Sequence, residues 1–274
     1  MDQQSVAYFK KWFHAYVKSY ASDDPELQRN FDLKEKHTFR VCLEITRVGK
    51  ELGLNGEKQR FAEVIALFHD IGRFEQYARY RTFLDGRSLN HAEAGVTILC
   101  ETAVLDNLDA DSRDLILNAI ANHNKAALPP CEDERCLFFS RLLRDADKLD
   151  IWRVVTDYYQ RRAKGERNPA IELGLPDTPG ISREVRGALM SQEIVQAANI
   201  KNLNDFKLLQ VGWVYDLNFT PALGRLVEKG YLDMIRATIS DSAAVREIFT
   251  AVDAYLDERL PGHACKIVDA QFKS

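Results

Sequence analysis

The chain has 274 residues, enough for one large domain or for a core domain carrying a subdomain. With 46% hydrophobic and 28% charged residues, it has the composition of a folded globular protein and not of a disordered chain. A formal net charge of −4 excludes a global basic field for nucleic acid or anionic membrane, so affinity for phosphate has to come from local clusters.

The opening stretch, "MDQQSVAYFKKWFHAYVKSY", lacks a basic start followed by a continuous apolar run. It reads as an amphipathic helix and not as a signal peptide. Its stripe of Phe9, Trp12, Phe13 and Tyr16 is wide enough to pack on the core, or on a second subunit in a homo-oligomer. In 36–52, Val41, Ile45, Val48 and Leu52 recur at helical spacing, and Gly53 closes the segment. Residues 57–71 repeat the pattern with Phe61, Val64, Ile65 and Phe68. The segment 72–90 breaks the rhythm, with Arg73, Arg79, Arg81 and Arg87 set among aromatics. It reads as a long ordered loop, a kind of segment that often carries function.

A further helix is expected from near Ser88 to about residue 104, and another over 111–125 with Leu115, Ile116, Ala119 and Ile120 on one face. "LPP" stops the chain there, and a long helix follows over about 133–164. "LGLPDTPG" at 173–180 is the best linker, which divides the chain into a core over 1–172 and an extension over 173–274 that packs on it. The extension reads as helices over roughly 181–200, 205–215, 220–239 and 242–259, with "CKIVDAQF" as strand or tail. Its aromatic run of Trp213, Tyr215 and Phe219 is expected to pack helices against the core. The fold class is all-α. Alternating βα patterning and Gly-rich phosphate loops are absent, which removes dinucleotide-binding and P-loop folds. No apolar run approaches the ~20 residues of a membrane helix, so a cytoplasmic chain without a membrane partner is expected. Five irregularly spaced cysteines (42, 100, 131, 136, 265) suit reduced thiols better than a disulfide frame.

Ionisable residues on the apolar stripes carry the functional signal. Four of the six histidines, His37, His69, His91 and His123, fall on or beside buried stripes of successive helices; His14 and His263 look peripheral. In "RDADKLDIWR", Asp145, Asp147 and Asp150 compete for the inner face of the long helix, and spacing alone does not choose among them. Burying an unpaired charge is costly unless it is paired or metal-bound. Imidazoles and carboxylates facing one interior supply the N/O ligand set that suits Fe, Mn, Ni, Co or Zn, and helical bundles build metal sites from side chains on facing helices. The adjacent pair His69–Asp70, at the end of a helix, can then reach one ion, or Asp70 can bridge two. Gly72 is expected to let the chain turn away without crowding the metal.

This ordered set resembles the HD-domain superfamily of metal-dependent phosphohydrolases. The matching residues are His37, His69–Asp70 in "FHDIGR", His91 in "NHAEAG", His123 in "ANHNK" and Asp147 in "DADKLD", over about 35–155. The resemblance implies an all-α fold and a first ion held by His37, His69, Asp70 and Asp147. Members with the two extra histidines often hold a second ion, for which His91 and His123 stand here, so one or two divalent transition-metal ions are expected. Several members place a phosphate-contacting Lys after "HDIG"; here Arg73 stands in that position, a planar two-pronged donor. The "GYP" extension and the nucleotidase-type acid are absent, and the stretch "HDIGRFEQ…RTFLDGRSLNHAE" looks like a group of bacterial HD proteins of unassigned substrate.

The expected activity is hydrolysis of a small phosphorylated substrate, a nucleotide or another metabolite and not a nucleic-acid polymer, by metal-activated water. Asp70 would accept the water's proton if it is not wholly committed to the ion. Arg73, and less directly Lys148, would face the phosphate. The alternatives are a di-iron oxygenase of the same ligand set and a non-catalytic nucleotide sensor.

Overall fold

The structure, a computed structural model, describes residues 1–130 and 133–260. Cys131, His263, Cys265 and the closing "CKIVDAQF" lie outside the described residues. Among the described residues every regular element is an α-helix or a 3-10 turn, so the all-α expectation holds. No described helix is long and apolar enough to cross a membrane.

The chain divides into two compact units. One comprises Met1–Leu175 together with Leu217–Ala222; the other comprises Pro176–Asp216 and the described residues from Leu223 onward.

In the first unit, α1 (Gln3–Lys18) is capped by Asp2, and α2 (Pro25–Glu51) begins with Pro25 at its first position under an Asp24 cap. Then come α3 (Gly56–Phe68), α4 (Gly72–Tyr80), α5 (His91–Glu101), α6 (Ala110–Asn122) and α7 (Glu134–Arg162). The long helix α2 packs along both α3 and α7, and α6 packs against α5 and α7. The stripes seen in the sequence meet here: Val41, Ile45 and Val48 from α2, Val64, Ile65 and Phe68 from α3, Ile116 and Ile120 from α6, and Leu142 and Leu149 from α7 are all buried. Each such side chain contributes about 1.5–3 kcal/mol on burial, so the bundle is rigid enough to hold costly polar groups inside. The N-terminal stripe packs on this core: Phe9 and Trp12 meet Phe68 edge-on, at 5.7 and 5.8 Å between centroids, and Phe13 meets Phe74 at 6.2 Å.

In the second unit, α8 (Arg183–Met190) packs on α9 (Leu203–Gly212) and on α10 (Ala243–Arg259), around Val185, Leu189, Leu208, Val211, Ile248 and Val252. The helix expected over 181–200 therefore ends early, at Met190, where the chain turns through Gln192 with a positive φ of 57°. Tyr215 packs on Tyr255 at 4.9 Å in this unit, and Phe219 packs on Phe138 at 5.3 Å in the first. Phe219 thus packs on the core as expected, whereas Tyr215 packs within its own unit.

The segment 72–90 corrects the sequence analysis. It is not one long loop: nine of its residues form α4, and Asp85–Arg87 form a 3-10 turn. The buried pair Phe74 and Tyr77 marks the inner face of α4, but a glycine start and a run of arginines hide it. Arg81, with φ of 53°, ends the helix. Gly72 also has a different task from the one expected. A Cβ there would overlap the carbonyl oxygen of His91 and come within 2.8 Å of the Gly95 amide nitrogen. The glycine lets α4 start against the backbone of α5, which is how His91 is brought beside Asp70. Gly72→Ala is therefore expected to destabilise the protein by about 3 kcal/mol, the upper part of the range for overpacking, because the colliding atoms are backbone. Urea denaturation checks this, and an unchanged midpoint would contradict it.

Candidate metal centre

Three of the four histidines sit at helix ends and not on helix faces. His69 is the residue that closes α3, His123 closes α6, and His91 is the first residue of α5 behind an Asn90 cap. Only His37 lies mid-helix, in α2. The last carbonyls of a helix have no intrahelical partner. Two of them take up an imidazole: His69 Nδ1 donates to Ala66 O at 2.7 Å and His123 Nδ1 donates to Ile120 O at 2.6 Å. The other two rings use carboxylates. His37 Nδ1 donates to Asp150 Oδ2 at 2.7 Å, and His91 Nδ1 donates to Asp85 Oδ2 at 2.7 Å. A carbonyl or a carboxylate can only accept, so every Nδ1 carries the proton. In its neutral form each ring would then be left with a bare Nε2, the arrangement typical of metal-ligating histidines.

All four Nε2 atoms turn toward Asp70. Its Oδ2 lies 3.5 Å from His37 Nε2 and 3.5 Å from His69 Nε2. Its Oδ1 lies 3.4 Å from His91 Nε2 and 3.8 Å from His123 Nε2. One carboxylate thus offers one oxygen to each histidine pair. Asp147 Oδ1 joins the first pair, 3.1 Å from His37 Nε2 and 3.6 Å from His69 Nε2.

The donor set fits a metal on two independent grounds. First, His91 Nε2 and His123 Nε2 stand 2.9 Å apart, and His37 Nε2 and His69 Nε2 stand 3.4 Å apart. Lone pairs facing each other at such distances repel unless an electrophile lies near both. Ligand atoms each ~2.1 Å from one ion stand roughly 3.0–3.5 Å apart at bond angles of about 90–110°. Second, Asp147 Oδ1 is buried and makes no hydrogen bond of good geometry despite its close neighbours. A buried carboxylate oxygen without a donor is costly unless a cation serves it. Two overlapping groups meet the distance requirement for a shared ion, His37–His69–Asp70 and Asp70–His91–His123.

The electrostatics agree. Burial opposes ionisation of Asp70, but the charges of Lys34 and His69 hold its carboxyl well below the usual range. Asp147 is likewise held low against burial by His37 and His69. Burial and Lys34 push His37 down, yet Asp147 and Asp150 outweigh them and raise its pKa: the pocket favours positive charge at that end.

The other end behaves differently. Burial and the Arg73 charge push His91 down to about 3, whereas an unfolded histidine titrates near 6.5. Between those values the unfolded chain binds a proton that the folded chain refuses. The stability tied to His91 is therefore complete above about pH 6.5 and is lost as pH falls through the window, at up to about 1.4 kcal/mol per pH unit. Asp145, raised to about 6 from 3.8 mainly by burial, has the opposite sign in its own window. Metal-free wild-type protein is thus expected to lose more stability than metal-free His91→Gln between pH 7 and pH 5. Urea midpoints at the two pH values decide it, and equal losses would refute the assignment.

The three carboxylates of α7 have separate tasks, because residues along a helix are rotated by about 100° each. Asp147 faces the histidines. Asp150 braces His37 from behind and is held in turn by Arg40, through Nε at 2.6 Å and Nη2 at 2.9 Å. Asp145 turns elsewhere, accepting from the Asn218 amide at 3.0 Å, Asn218 Nδ2 at 2.8 Å and the Phe219 amide at 2.9 Å.

The two cations expected at the substrate both lie inside the protein framework. Arg73 Nη1 donates to Gln76 Oε1 at 2.8 Å, to Phe83 O at 2.6 Å and to Asp85 Oδ1 at 3.0 Å, while its Nε faces Asp70 Oδ1 at 3.4 Å. It thereby fixes Asp85 behind His91, a job shared by Gln76 and by Asn124, whose Nδ2 donates to Asp85 Oδ2 at 3.0 Å. Lys148 is buried, and its charge acts on Asp145. Two of the other three arginines of that segment pair outward, Arg79 with Glu75 at 2.7 Å and Arg81 with Asp24 at 2.7 Å. His14 is exposed and faces Glu35 at 3.5 Å, away from the centre.

Sequence reasoning missed Lys34, whose Nζ donates to Asp70 Oδ2 at 2.6 Å. The signal was present, since Lys34 precedes His37 by three residues and so shares its helix face. It also missed Arg144, which donates from Nη1 to His123 O at 3.2 Å and to Lys125 O, and so fixes the turn that carries His123. The bond of Asp85 to His91 depends on the fold of the 3-10 turn.

Residues 35–152 match the family model described as "HD domain", the stretch that runs from just before His37 to just past Asp150. No curated protein and no solved structure matches the chain.

Proposed function

We propose, from the HD domain that residues 35–152 form, that this chain is a metal-dependent hydrolase acting on a phosphate ester, a nucleotide or another small phosphorylated metabolite. The observation that carries the proposal is the position of Asp70 between two pairs of imidazoles whose Nδ1 atoms are all committed to acceptors behind them. His37, His69, Asp70 and Asp147 would hold one ion; Asp70, His91 and His123 would hold a second. A bound divalent ion supplies Lewis acidity toward a phosphoryl oxygen and lowers the pKa of its water toward neutrality. The chain supplies the rest. Asp150 and Asp85 keep two of the rings oriented, Ala66 O and Ile120 O keep the other two, and the apolar residues around them keep bulk water out. Asp70, ionised and shared, would give one oxygen to each ion.

The test is metal analysis of purified protein followed by a panel of phosphomonoesters and phosphodiesters with Mn, Ni, Co or Fe, run with and without O₂. Hydrolysis of one ester class under both atmospheres supports the proposal. Doubled histidine pairs around one carboxylate also suit a di-iron oxygenase, and turnover confined to Fe(II) with O₂ would select that instead. A metal-loaded protein that binds nucleotides and turns over nothing would be a sensor.

A further inference from the structure

We propose that Lys34, and not Arg73, is the side chain that grips the anionic oxygens of the substrate at this centre; the inference rests on the phosphohydrolase reading above. The positions expected to supply that charge are occupied otherwise. Arg73 has Nη1 spread over three protein acceptors and Nε turned to Asp70. To meet a phosphate through Nη1 it would have to release Asp85, the group that orients His91, which leaves it the Nη2 edge beside its Asp70 contact. Lys148 is buried beside Asp145.

Lys34 is placed differently. It lies one turn before His37 on the same face of α2, with Nζ 2.6 Å from the Asp70 oxygen that faces His37 and His69. On its other flank is the ring of Phe83, 5.3 Å from Nζ to the centroid, a cation–π contact that limits where the ammonium can go. Its side chain keeps 16% of its surface exposed, against 0–4% for His69, His37 and Asp70 beneath it. Asp147 and Arg73 keep similar shares, 17% and 15%, so access alone does not single out Lys34; its N–H donors do. An ammonium carries three N–H donors. Among the described residues Asp70 Oδ2 is its one hydrogen-bond acceptor, so two donors remain for an incoming anion while the third keeps the group anchored. An ammonium held by a carboxylate on one side and a ring on the other costs little further entropy when it binds. The ligand chemistry this suits is a compact oxyanion, the phosphoryl group of an ester or free phosphate as its product.

The test uses the full chain loaded with Mn(II), with inorganic phosphate as the binding probe and the best ester from the panel as substrate. Lys34→Met keeps length and removes charge; Lys34→Arg keeps charge. Both variants are expected to retain wild-type metal content. Phosphate binding by calorimetry should weaken about ten-fold to a hundred-fold in Lys34→Met, the scale of one charge-assisted hydrogen bond, and recover in large part in Lys34→Arg. KM should rise with the same pattern, more than kcat falls. Phosphate affinity in Lys34→Met within two-fold of wild type overturns the inference. So does loss of metal from that variant, which would make Lys34 a support for Asp70 only. If wild-type protein neither binds phosphate nor hydrolyses any ester, the phosphohydrolase reading fails and takes this inference with it. If wild-type protein hydrolyses and Lys34→Met is its equal, the inference alone fails.

Discussion

Asp70→Asn is expected to empty both halves of the centre at once and to lower kcat/KM by at least about 10³-fold. The substitution keeps shape and changes only charge and donor pattern. Asp70 is the single residue common to the two groups capable of holding an ion, and its two oxygens divide between them. Asparagine turns one of those oxygens into an N–H₂ donor and removes the negative charge that balances a cation. Whichever way the amide lies, one histidine pair faces an N–H₂ group, which cannot ligate an ion. Lys34 loses its carboxylate as well, which leaves a mostly buried ammonium facing the imidazoles. The chemistry a bound ion supplies is worth several kcal/mol at the transition state, and each 1.36 kcal/mol is a factor of ten in rate. Asp147→Asn is the informative contrast, because of the four histidines Asp147 pairs with His37 and His69; it should lower the metal content of that half and spare His91–His123. Metal analysis beside kcat/KM separates the two patterns. An Asp70→Asn protein that keeps its full complement of metal would sink the shared-carboxylate account.

The helices, their buried stripes and the ordered ligand types were legible from the sequence because they are periodic, and periodicity is local information. The order His37, His69–Asp70, His91, His123, Asp147 needed no coordinates. What brings these residues together did need them. The sequence places the histidines on helix faces at 3.6-residue spacing, but three of them are at helix ends, where unpaired carbonyls and caps decide ring orientation. End positions differ from face positions by one or two residues, which is the scale on which sequence boundaries blur. The choice among Asp145, Asp147 and Asp150 was closed to the sequence for a related reason. All three fall on apolar rows of α7, and only their partners, Asn218, the histidines and Arg40 respectively, tell them apart. Arg73 is a different case. Its position after "HDIG" invites a role toward substrate, and its acceptors lie within its own segment, at Gln76, Phe83 and Asp85. A helix that was read as a loop could not reveal them.

Removing the metal should destabilise the protein in a way that only the intact centre shows. Asp147 Oδ1 is buried without a hydrogen bond among the described residues, and two imidazole nitrogens face each other at 2.9 Å. Both features raise the free energy of the folded chain and both are relieved by a cation, which the unfolded chain cannot bind in the same array. Mass action then converts affinity into stability: a free ion at a hundred times its dissociation constant adds about 2.7 kcal/mol. For a unit of this size each kcal/mol moves Tm by about 2–4 °C, so the full shift is about 5–10 °C. Chelation followed by stepwise addition of Mn, Co, Ni or Zn, with Tm read at each step, measures it. Mg should do less, because it favours all-oxygen coordination and keeps its waters. In Asp70→Asn the shift should vanish, and in Asp150→Asn it should need more metal, since a lost outer partner costs about 10–100-fold in affinity. A wild-type Tm indifferent to chelator and to all four transition metals would mean that the imidazoles and carboxylates satisfy one another unaided, and the centre would then be a buried polar network with no ion to hold.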